Sequence, residues 1–465
     1  MRKAVAVVAV LAACAVSAGA ASARTTPVPR FTGPILLANT DGVTEPRMAV
    51  DRRTDIRYAV ANLKSGPAAV FASTDGGRTF GKTQGTIPGQ QATTIDLDIV
   101  TLSTGRVIAN ELDEAGLTFP TGYSDDHGKT WQASSGPIVD VDRQWLAVGP
   151  HDEVYLVFHN FVSGLTAHEV MVQSSTDGGK TFGAPVPVTL PGEQAFADLS
   201  CGDSTGPSGM AVDQRSGRIY VSFTTRTSAV GGGCGKSATG EPGFNVVPSS
   251  HIWVASSPNG QAGTWKTSLA VDAAESGLIV GLQYSPVRVD TAGGVYVVYT
   301  QGLTKGSYVS DLHYAYLAPG ASAWRQHKVT GTSGGILFGH IEVGKPGRIG
   351  LAYLYSRVVD GATLWFPAFS QTLDGLATRP HFTQVKLAGF PSHKGSAAQM
   401  SGSCATGPGA GIQQGLTCGR QLDNFGTALD RAGRVSVIWP APSAALGEGQ
   451  VGTYIATQLS GPGLL

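Results

Sequence analysis

The chain has 465 residues, of which 42% are hydrophobic and only 14% are charged, and it contains 63 glycines. The low charge and the many glycines argue against a coiled-coil or long-helix protein and favour short strands joined by tight turns. Its 33 basic residues balance 33 acidic ones, so no basic surplus is present to hold nucleic acid or anionic lipid.

Residues 1–23 have the pattern of a secretory signal peptide. "MRK" gives a positive start, "AVAVVAVLAACAV" an apolar run, and "ASA" a small-residue cleavage site. The apolar run is shorter than the roughly 20 residues that span a bilayer, so we expect no transmembrane segment. The sequence predicts a secreted protein in which 24–465 form one domain. The lipobox-like "LAAC" at 11–14 keeps open the alternative of a lipoprotein anchored through Cys14.

An eight-residue phrase recurs at a fixed period in the first half of the chain. The copies are "STDGGRTF" at 73–80, "SDDHGKTW" at 124–131 and "STDGGKTF" at 175–182, with Asp75, Asp126 and Asp177 spaced by 51 positions. Each copy follows an apolar strand, a short polar turn, a strand of alternating residues such as "EVYLVFHNF", and a third strand. A fixed period of this length indicates repeated units, each a small antiparallel meander.

Four further units follow without the full phrase, which makes seven. Their first two strands are predicted in 207–225, 285–301, 338–356 and 424–440. One meander cannot bury both of its faces, but a ring of meanders can, and this indicates an all-β protein with a β-propeller of four-stranded antiparallel blades.

The seventh unit shows no clear fourth strand. "GPILLAN" at 33–39 is an unused strand ahead of the first unit, and we predict that it joins the seventh sheet and closes the ring. Six blades are the alternative, with the weakly patterned unit around 338–375 as a loop insertion.

The recurring phrase is predicted to form the hairpin between the third and fourth strands of a unit. Its Asp can accept hydrogen bonds from the N–H groups of the turn, and Gly77, Gly128 and Gly179 fit a position that needs positive φ. One carboxylate in each turn is too few for a calcium site, so we expect no metal and no cofactor.

Four cysteines remain after the leader, an even number typical of disulfides in a secreted chain. We predict the pairs Cys201–Cys234 and Cys404–Cys418, because each brackets a Gly/Ser-rich loop, although three pairings are open.

The phrase S-x-D-x-G-x-T-[FW] resembles the Asp-box, or BNR repeat, of the sialidase superfamily. The resemblance implies a sialidase-like propeller in which the boxes lie on the rim away from the functional mouth. Inner strands begin at that mouth, so residues distant in sequence gather there. The residues at the predicted strand entries are Glu45, Arg47, Asp96, Asp98, Asp142, Arg143, Ser208, Gln283, Tyr284, His340, Asp423 and Asn424. For each of these, pairing within the ring and ligand contact are both open.

The resemblance also implies site chemistry. Sialidases place arginines around a substrate carboxylate, because arginine offers a bidentate fork, and use a Tyr nucleophile with a Glu and an Asp. Carried over, this assigns Tyr284 as nucleophile with Glu45 and Asp142 as the catalytic carboxyl groups. The predicted ligand-binding residues are Arg47, Asp96, Asp98, Arg143, Arg288, His340 and Asp423.

Three functions stay open on the sequence. The first is recognition of an extracellular glycan or related small ligand at the mouth, with hydrolysis undecided because no arginine opens the fourth or sixth inner strand. The second is an exo-glycosidase of sialidase type that cleaves terminal sugars. The third is a non-catalytic cell-envelope scaffold whose loops 226–250 and 391–420 grip another protein. We expect a monomer in each case.

Overall fold

The computed structural model describes most of the chain downstream of the predicted leader. The described residues are 28–42, 45–90, 96–113, 118–136, 141–160, 169–199, 206–225, 249–282, 284–332, 334–395, 426–441 and 451–465. The predicted signal peptide with Cys14, the other four cysteines, Gln283, Asp423 and Asn424 lie outside these ranges.

Seven antiparallel sheets follow one another along the chain and form the predicted seven-bladed β-propeller. Before the first blade come β1 (Arg30–Phe31) and β2 (Ile35–Leu36). Blade 1 contains β3 (Arg47–Asp51), β4 (Ile56–Ala61), β5 (Ala69–Ser73) and β6 (Gly81–Lys82). Blade 2 contains β7 (Leu97–Thr101), β8 (Val107–Glu111), β9 (Thr121–Ser124) and β10 (Gln132–Ala133). Blade 3 contains β11 (Val141–Val148), β12 (Val154–Asn160), β13 (Glu169–Ser175) and β14 (Val186–Pro187).

The later blades repeat the same meander. After the short helix α1 (Gln194–Leu199), blade 4 contains β15 (Pro207–Val212), β16 (Ile219–Thr225), β17 (His251–Ser257) and β18 (Lys266–Asp272). Blade 5 contains β19 (Val287–Val289), β20 (Val295–Gly302), β21 (Ser310–Leu317) and β22 (Arg325–Lys328). Blade 6 contains β23 (Ile336–Val343), β24 (Ile349–Val359), β25 (Ala362–Thr372), β26 (Thr383–Lys386) and β27 (His393–Lys394). Blade 7 contains β28 (Gly426–Leu429), β29 (Val435–Ala441) and β30 (Gly452–Ser460).

The ring is closed by strands from the two ends of the described chain, as the sequence predicted. β2 pairs with β30 of blade 7 in the register Ile35↔Ile455, and β1 pairs with the same strand. On the inner side, the buried Arg57 of blade 1 donates from Nη2 to Oδ2 of Asp430 in blade 7 at 2.8 Å. We call this contact the closing ion pair.

Blade 6 corrects the view of 338–375 as a weak unit. β24 and β25 pair over 11 residues each, from Ile349↔Thr372 to Val359↔Ala362. The six-bladed alternative is therefore wrong, and this unit is a complete blade.

The hydrophobic core lies between neighbouring blades. One cluster joins Trp145 and Val157 of blade 3 to Met210, Val221 and Trp253 of blade 4, all under 9% exposed. Because alternate residues of a strand face opposite sides of the sheet, each blade contributes one apolar face to each neighbour. This packing holds the inner strands in a ring around a central cavity.

The three copies of the repeated phrase form hairpin tips, which we call the box turns (73–80, 124–131 and 175–182). In the first, Asp75 Oδ1 accepts hydrogen bonds from Ser73 Oγ at 2.8 Å and from the Thr79 N–H at 3.0 Å, while Thr79 Oγ1 donates to Asp75 Oδ2 at 2.7 Å. In the second, the corresponding bonds, that from Thr130 Oγ1 foremost, lower the pKa of Asp126 to about 2. These hydrogen bonds lie within the turns, as the sequence analysis predicted for a hairpin tip.

Glycine is required in these turns for its backbone conformation and for lack of space. Gly179 has φ 80°, and a Cβ there would lie 2.4 Å from Cδ1 of the fully buried Ile108. We expect Gly179→Ala to lower the free energy of unfolding by about 1–3 kcal/mol more than Gly66→Ala. Gly66 also has positive φ, at 90°, but a Cβ there meets nothing within 4 Å. Urea unfolding of both variants measures the difference, and equal losses would show that backbone strain alone sets the cost.

Within the described ranges, the six-residue α1 is the one α-helix, and no helix there has the length and apolar character needed to cross a membrane.

Candidate functional site

A central cavity of about 790 Å³ lies between the inner strands of the seven blades. We call the part of the cavity that is lined by the inner strands themselves the entry end, and the part that is lined by the turns into the second strands the turn end. The side chains that line the cavity at the entry end include Arg47, Asp98, Trp145, Ser208, Arg288, His340, Glu342 and Thr427. Each of the seven blades contributes at least one of them.

Irregular pairing redirects side chains at the entry end. The register shifts between Asp142 and Trp145 in β11, and again between Leu337 and His340 in β23. Within these two bulges Arg143 and Phe338 each adopt φ 56°, an uncommon conformation for a residue other than glycine. A bulge re-aims the side chains beside it, and such features recur at functional sites.

Two arginines and two aromatic rings form one stacked group, which we call the arginine–aromatic cluster. The Arg47 guanidinium carbon lies 4.1 Å from the Trp145 ring centre, and that of Arg143 lies 4.9 Å from the Tyr284 ring centre. The two rings meet edge to face at 5.8 Å. Trp145 and Tyr284 are 3% and 2% exposed, and Trp145 Nε1 donates to the carbonyl oxygen of Pro207 at 2.9 Å. The cluster fixes both guanidinium groups in place.

Asp98 is a buried carboxyl group on the cavity wall. It accepts hydrogen bonds from the N–H groups of Ile99 at 2.8 Å and Leu146 at 2.6 Å. Burial raises the pKa of Asp98, and the neighbouring Arg47 opposes that rise more than any other group. For Arg47, burial lowers the pKa, and Asp98 and Glu45 are the carboxylates that oppose the fall. Asp98 and Arg47 thus stabilise each other's charge on the wall.

A second charged group lies on the wall where blades 5, 6 and 7 meet. Arg288 Nη2 lies 3.5 Å from Glu342 Oε1, and Arg288 Nη1 donates to the Val287 carbonyl oxygen at 3.0 Å. The Thr427 hydroxyl donates to the same Glu342 oxygen at 2.9 Å. Arg288 has a side chain that is 28% exposed, so it can reach a molecule in the cavity.

Other predicted residues tie the strand entries together around the wall. Glu45 and Asp96 form a backbone bridge between blades 1 and 2, and Gln144 of blade 3 donates from Nε2 to the Asp96 carbonyl oxygen at 2.8 Å. Asp142 accepts a hydrogen bond from the Arg143 N–H at 2.8 Å, and its Oδ2 lies 3.8 Å from Arg143 Nε.

The structure therefore divides the predicted site residues into two sets. Arg47, Asp98, Arg288 and His340 lie on the cavity wall. The residues of the surrounding shell, which are absent from that wall, are Glu45, Asp96, Asp142, Arg143 and Tyr284. The nucleophile role of Tyr284 stays a prediction, as do the catalytic roles of Asp142 and Glu45. Asp423 lies outside the described residues.

Glu342 and Thr427 are wall residues that the sequence analysis did not single out. Glu342 lies two positions after His340 on the same inner strand, so both side chains face the same side of the sheet. The period-two alternation of "GHIEV" indicates that Glu342 faces the same side as His340. A search limited to the residues at the strand entries does not find it.

The turn end of the cavity is occupied by contacts within and between turns. Asp213 Oδ1 accepts from the Arg215 N–H at 3.0 Å, and Arg215 Nη1 donates to the Ala292 carbonyl oxygen of the next blade at 2.6 Å. Arg53 Nη2 likewise reaches the Thr104 carbonyl oxygen at 3.3 Å. Since strands one and three of a blade run the same way, the box turns also lie at this end. These polar groups serve the fold, and the entry end is the candidate site.

No family model and no curated protein matches this chain. Solved structures do match. A family 25 polysaccharide lyase, an ulvan lyase, has 14% identity and a TM-score of 0.54 over 92% of this chain and 95% of its own, and the same values hold for its complex with -[GlcA(1-4)Rha3S]-. An α-L-arabinofuranosidase from Fusarium graminearum has 12% identity and a TM-score of 0.44 over 78% of this chain and 98% of its own. At these identities the likeness to the lyase shows the propeller fold alone.

Proposed function

We propose that this protein binds a glycan at the entry end of its central cavity. The observation that carries the proposal is the composition of the wall, where all seven blades place polar, charged or aromatic side chains around one cavity. A purely structural ring of strand entries would be satisfied by apolar packing, as the interblade faces are.

The wall has the chemistry that a sugar needs. Sugar hydroxyls both donate and accept hydrogen bonds, and the guanidinium groups of Arg47 and Arg288 supply donors while Asp98 and Glu342 supply acceptors. The side chains are held before binding, since Trp145 supports Arg47 and Thr427 supports Glu342. The cavity also falls within the roughly 300–1,000 Å³ typical of ligand pockets.

The comparison and the predicted leader agree with this function. One solved structure of the lyase of the same fold has a saccharide bound, and this supports a glycan ligand for this propeller. The leader predicted at 1–23 would place the protein outside the cell, where polysaccharides are met.

A glycan array with residues 24–465 tests the proposal, followed by titration calorimetry on each hit. Arg288→Ala should weaken binding at least about tenfold, or 1.4 kcal/mol. Arg53→Ala is the matched control, because Arg53 lines the same cavity at the turn end. Binding to no glycan, or a loss confined to Arg53→Ala, would contradict the proposed site.

A glycoside hydrolase is the second candidate. Two carboxyl groups, Asp98 and Glu342, lie on one cavity wall with Arg288 acting on both. Most glycosidases use such a pair, one as acid and one as base or nucleophile, and burial raises the pKa of Asp98 in the direction that an acid requires.

Fluorogenic glycosides, sialosides included, test this second function. If the protein hydrolyses one, Asp98→Asn and Glu342→Gln should each lower kcat by about 10²–10⁴-fold. Full activity in both variants would exclude this pair as the catalytic carboxyl groups and leave the Tyr284 prediction to be tested with Tyr284→Phe.

A further inference from the structure

We infer that the ligand of this site is an uncharged glycan, because the arginines at the entry end already have carboxylate partners. The inference rests on the proposed function and names its ligand class. It reverses the expectation that the sialidase resemblance raises, in which arginines are kept for the carboxylate of an acidic sugar.

The Arg47 guanidinium lies against one aromatic ring and interacts electrostatically with two carboxylates. Asp98 and Glu45 are the two carboxylates with the strongest effect on its guanidinium, in that order. One face of that guanidinium also lies on the Trp145 ring at 4.1 Å. An anion that made a bidentate contact with Arg47 would have to compete with these two carboxylates.

The other two arginines have partners as well. Arg143 lies over Tyr284 with its Nε 3.8 Å from Asp142 Oδ2, and the residue is 3% exposed. Arg288 Nη2 lies 3.5 Å from Glu342 Oε1, and Arg288 Nη1 donates a hydrogen bond to the Val287 carbonyl oxygen. The described entry end thus sets Arg47, Arg143 and Arg288 against the carboxylates of Glu45, Asp98, Asp142 and Glu342.

Because the arginines lie beside carboxylates, the site disfavours an anionic ligand group and suits a hydroxyl group. A sugar carboxylate or sulfate would have to displace Glu342 from Arg288 or lie beside it, and like charges at close range in a partly buried site repel. A hydroxyl group can accept a hydrogen bond from a guanidinium and donate one to the adjacent carboxylate, so the arginine and the carboxylate can stay together. The wall therefore selects uncharged sugars.

An array that carries neutral and uronate- or sialate-containing glycans tests the inference on the wild-type protein. We expect binding to neutral glycans at least about tenfold tighter than to acidic ones, and little change between about 50 mM and 500 mM NaCl. Tighter binding of acidic glycans that weakens with salt would overturn the inference and leave the proposed function standing. Binding of neither class would overturn the proposed function itself.

Glu342→Gln adds an independent test of the cause. It removes the carboxylate beside Arg288 while keeping an oxygen for Thr427, so acidic glycans should gain at least about tenfold in affinity. Asp125→Asn changes the net charge equally, but Asp125 lies within a box turn at the other rim, so this variant should give no gain. Equal gains in both variants, or none in Glu342→Gln, would overturn the explanation. The wild-type comparison decides the ligand class even if Glu342→Gln does not fold.

Discussion

Asp430→Asn is expected to lower the free energy of unfolding by about 3–5 kcal/mol, because it breaks the closing ion pair and leaves a buried guanidinium without its main partner. The side chains of Arg57 and Asp430 are only 3% and 4% exposed. Asparagine would still accept hydrogen bonds from the turn N–H groups of Ala432 and Arg434 through Oδ1. Its amide nitrogen, however, would stand where Asp430 Oδ2 accepts from Arg57, so two donors would face each other. Arg57 would keep the hydrogen bonds from Nη1 to the Asp55 carbonyl oxygen at 3.1 Å and to Asp55 Oδ2 at 3.2 Å.

Asp125→Asn supplies the matched control for this variant. It makes the same chemical change in the Arg106–Asp125 pair, which has a shorter separation of 2.7 Å but an Asp125 side chain that is 56% exposed. An exposed pair contributes about 0–1 kcal/mol. Chemical unfolding of both variants compares the two. A loss in Asp430→Asn no larger than in Asp125→Asn would mean that strand pairing by β1 and β2 closes the ring without help from this ion pair.

The fold could be predicted because its signals are local and repeated. The strand alternation indicates the blades, the 51-residue spacing marks the first three of them, and the hydrogen bonds of Asp75 in the first box turn lie within 73–80. The unpaired segment 33–39 was placed in blade 7 because the ring needs one more strand. Blade 6 is hard to predict from the sequence, because it lacks the phrase and because Pro367 lies inside β25, where proline usually argues against a strand.

Only some of the residues on the cavity wall could be predicted, because the direction of a side chain depends on the irregular strand pairing at the strand entries. Arg47, Asp98 and Arg288 follow regular alternation and reach the wall as expected. Arg143 lies in a bulge that turns it onto Tyr284, away from the cavity wall. The period-two alternation of the strand does not reveal such a bulge, because the bulge itself interrupts that alternation.

Arg47→Met is expected to make the stability of the protein fall more steeply with rising pH than that of the wild type, in which burial already raises the pKa of Asp98. Methionine keeps an apolar side chain over Trp145 but removes the cation that most opposes the raised pKa of Asp98. That pKa should then rise further above its unfolded value of about 3.9. Above that pH the unfolded chain releases the proton while the folded protein retains it, so the unfolded state binds fewer protons and stability declines with pH. Below it, Asp98 is protonated in both states and the loss disappears.

Thermal and urea unfolding between about pH 4 and pH 8 measure this effect, which should reach about 3–5 kcal/mol relative to wild type at the upper end. Arg47→Met/Asp98→Asn is the control, because it removes the ionisable partner and should flatten the difference. A loss that is the same at every pH would assign Arg47 to packing on Trp145 rather than to charge pairing. The pH profile thus tests the premise shared by both proposals, that charges on the cavity wall are held in matched pairs before any ligand arrives.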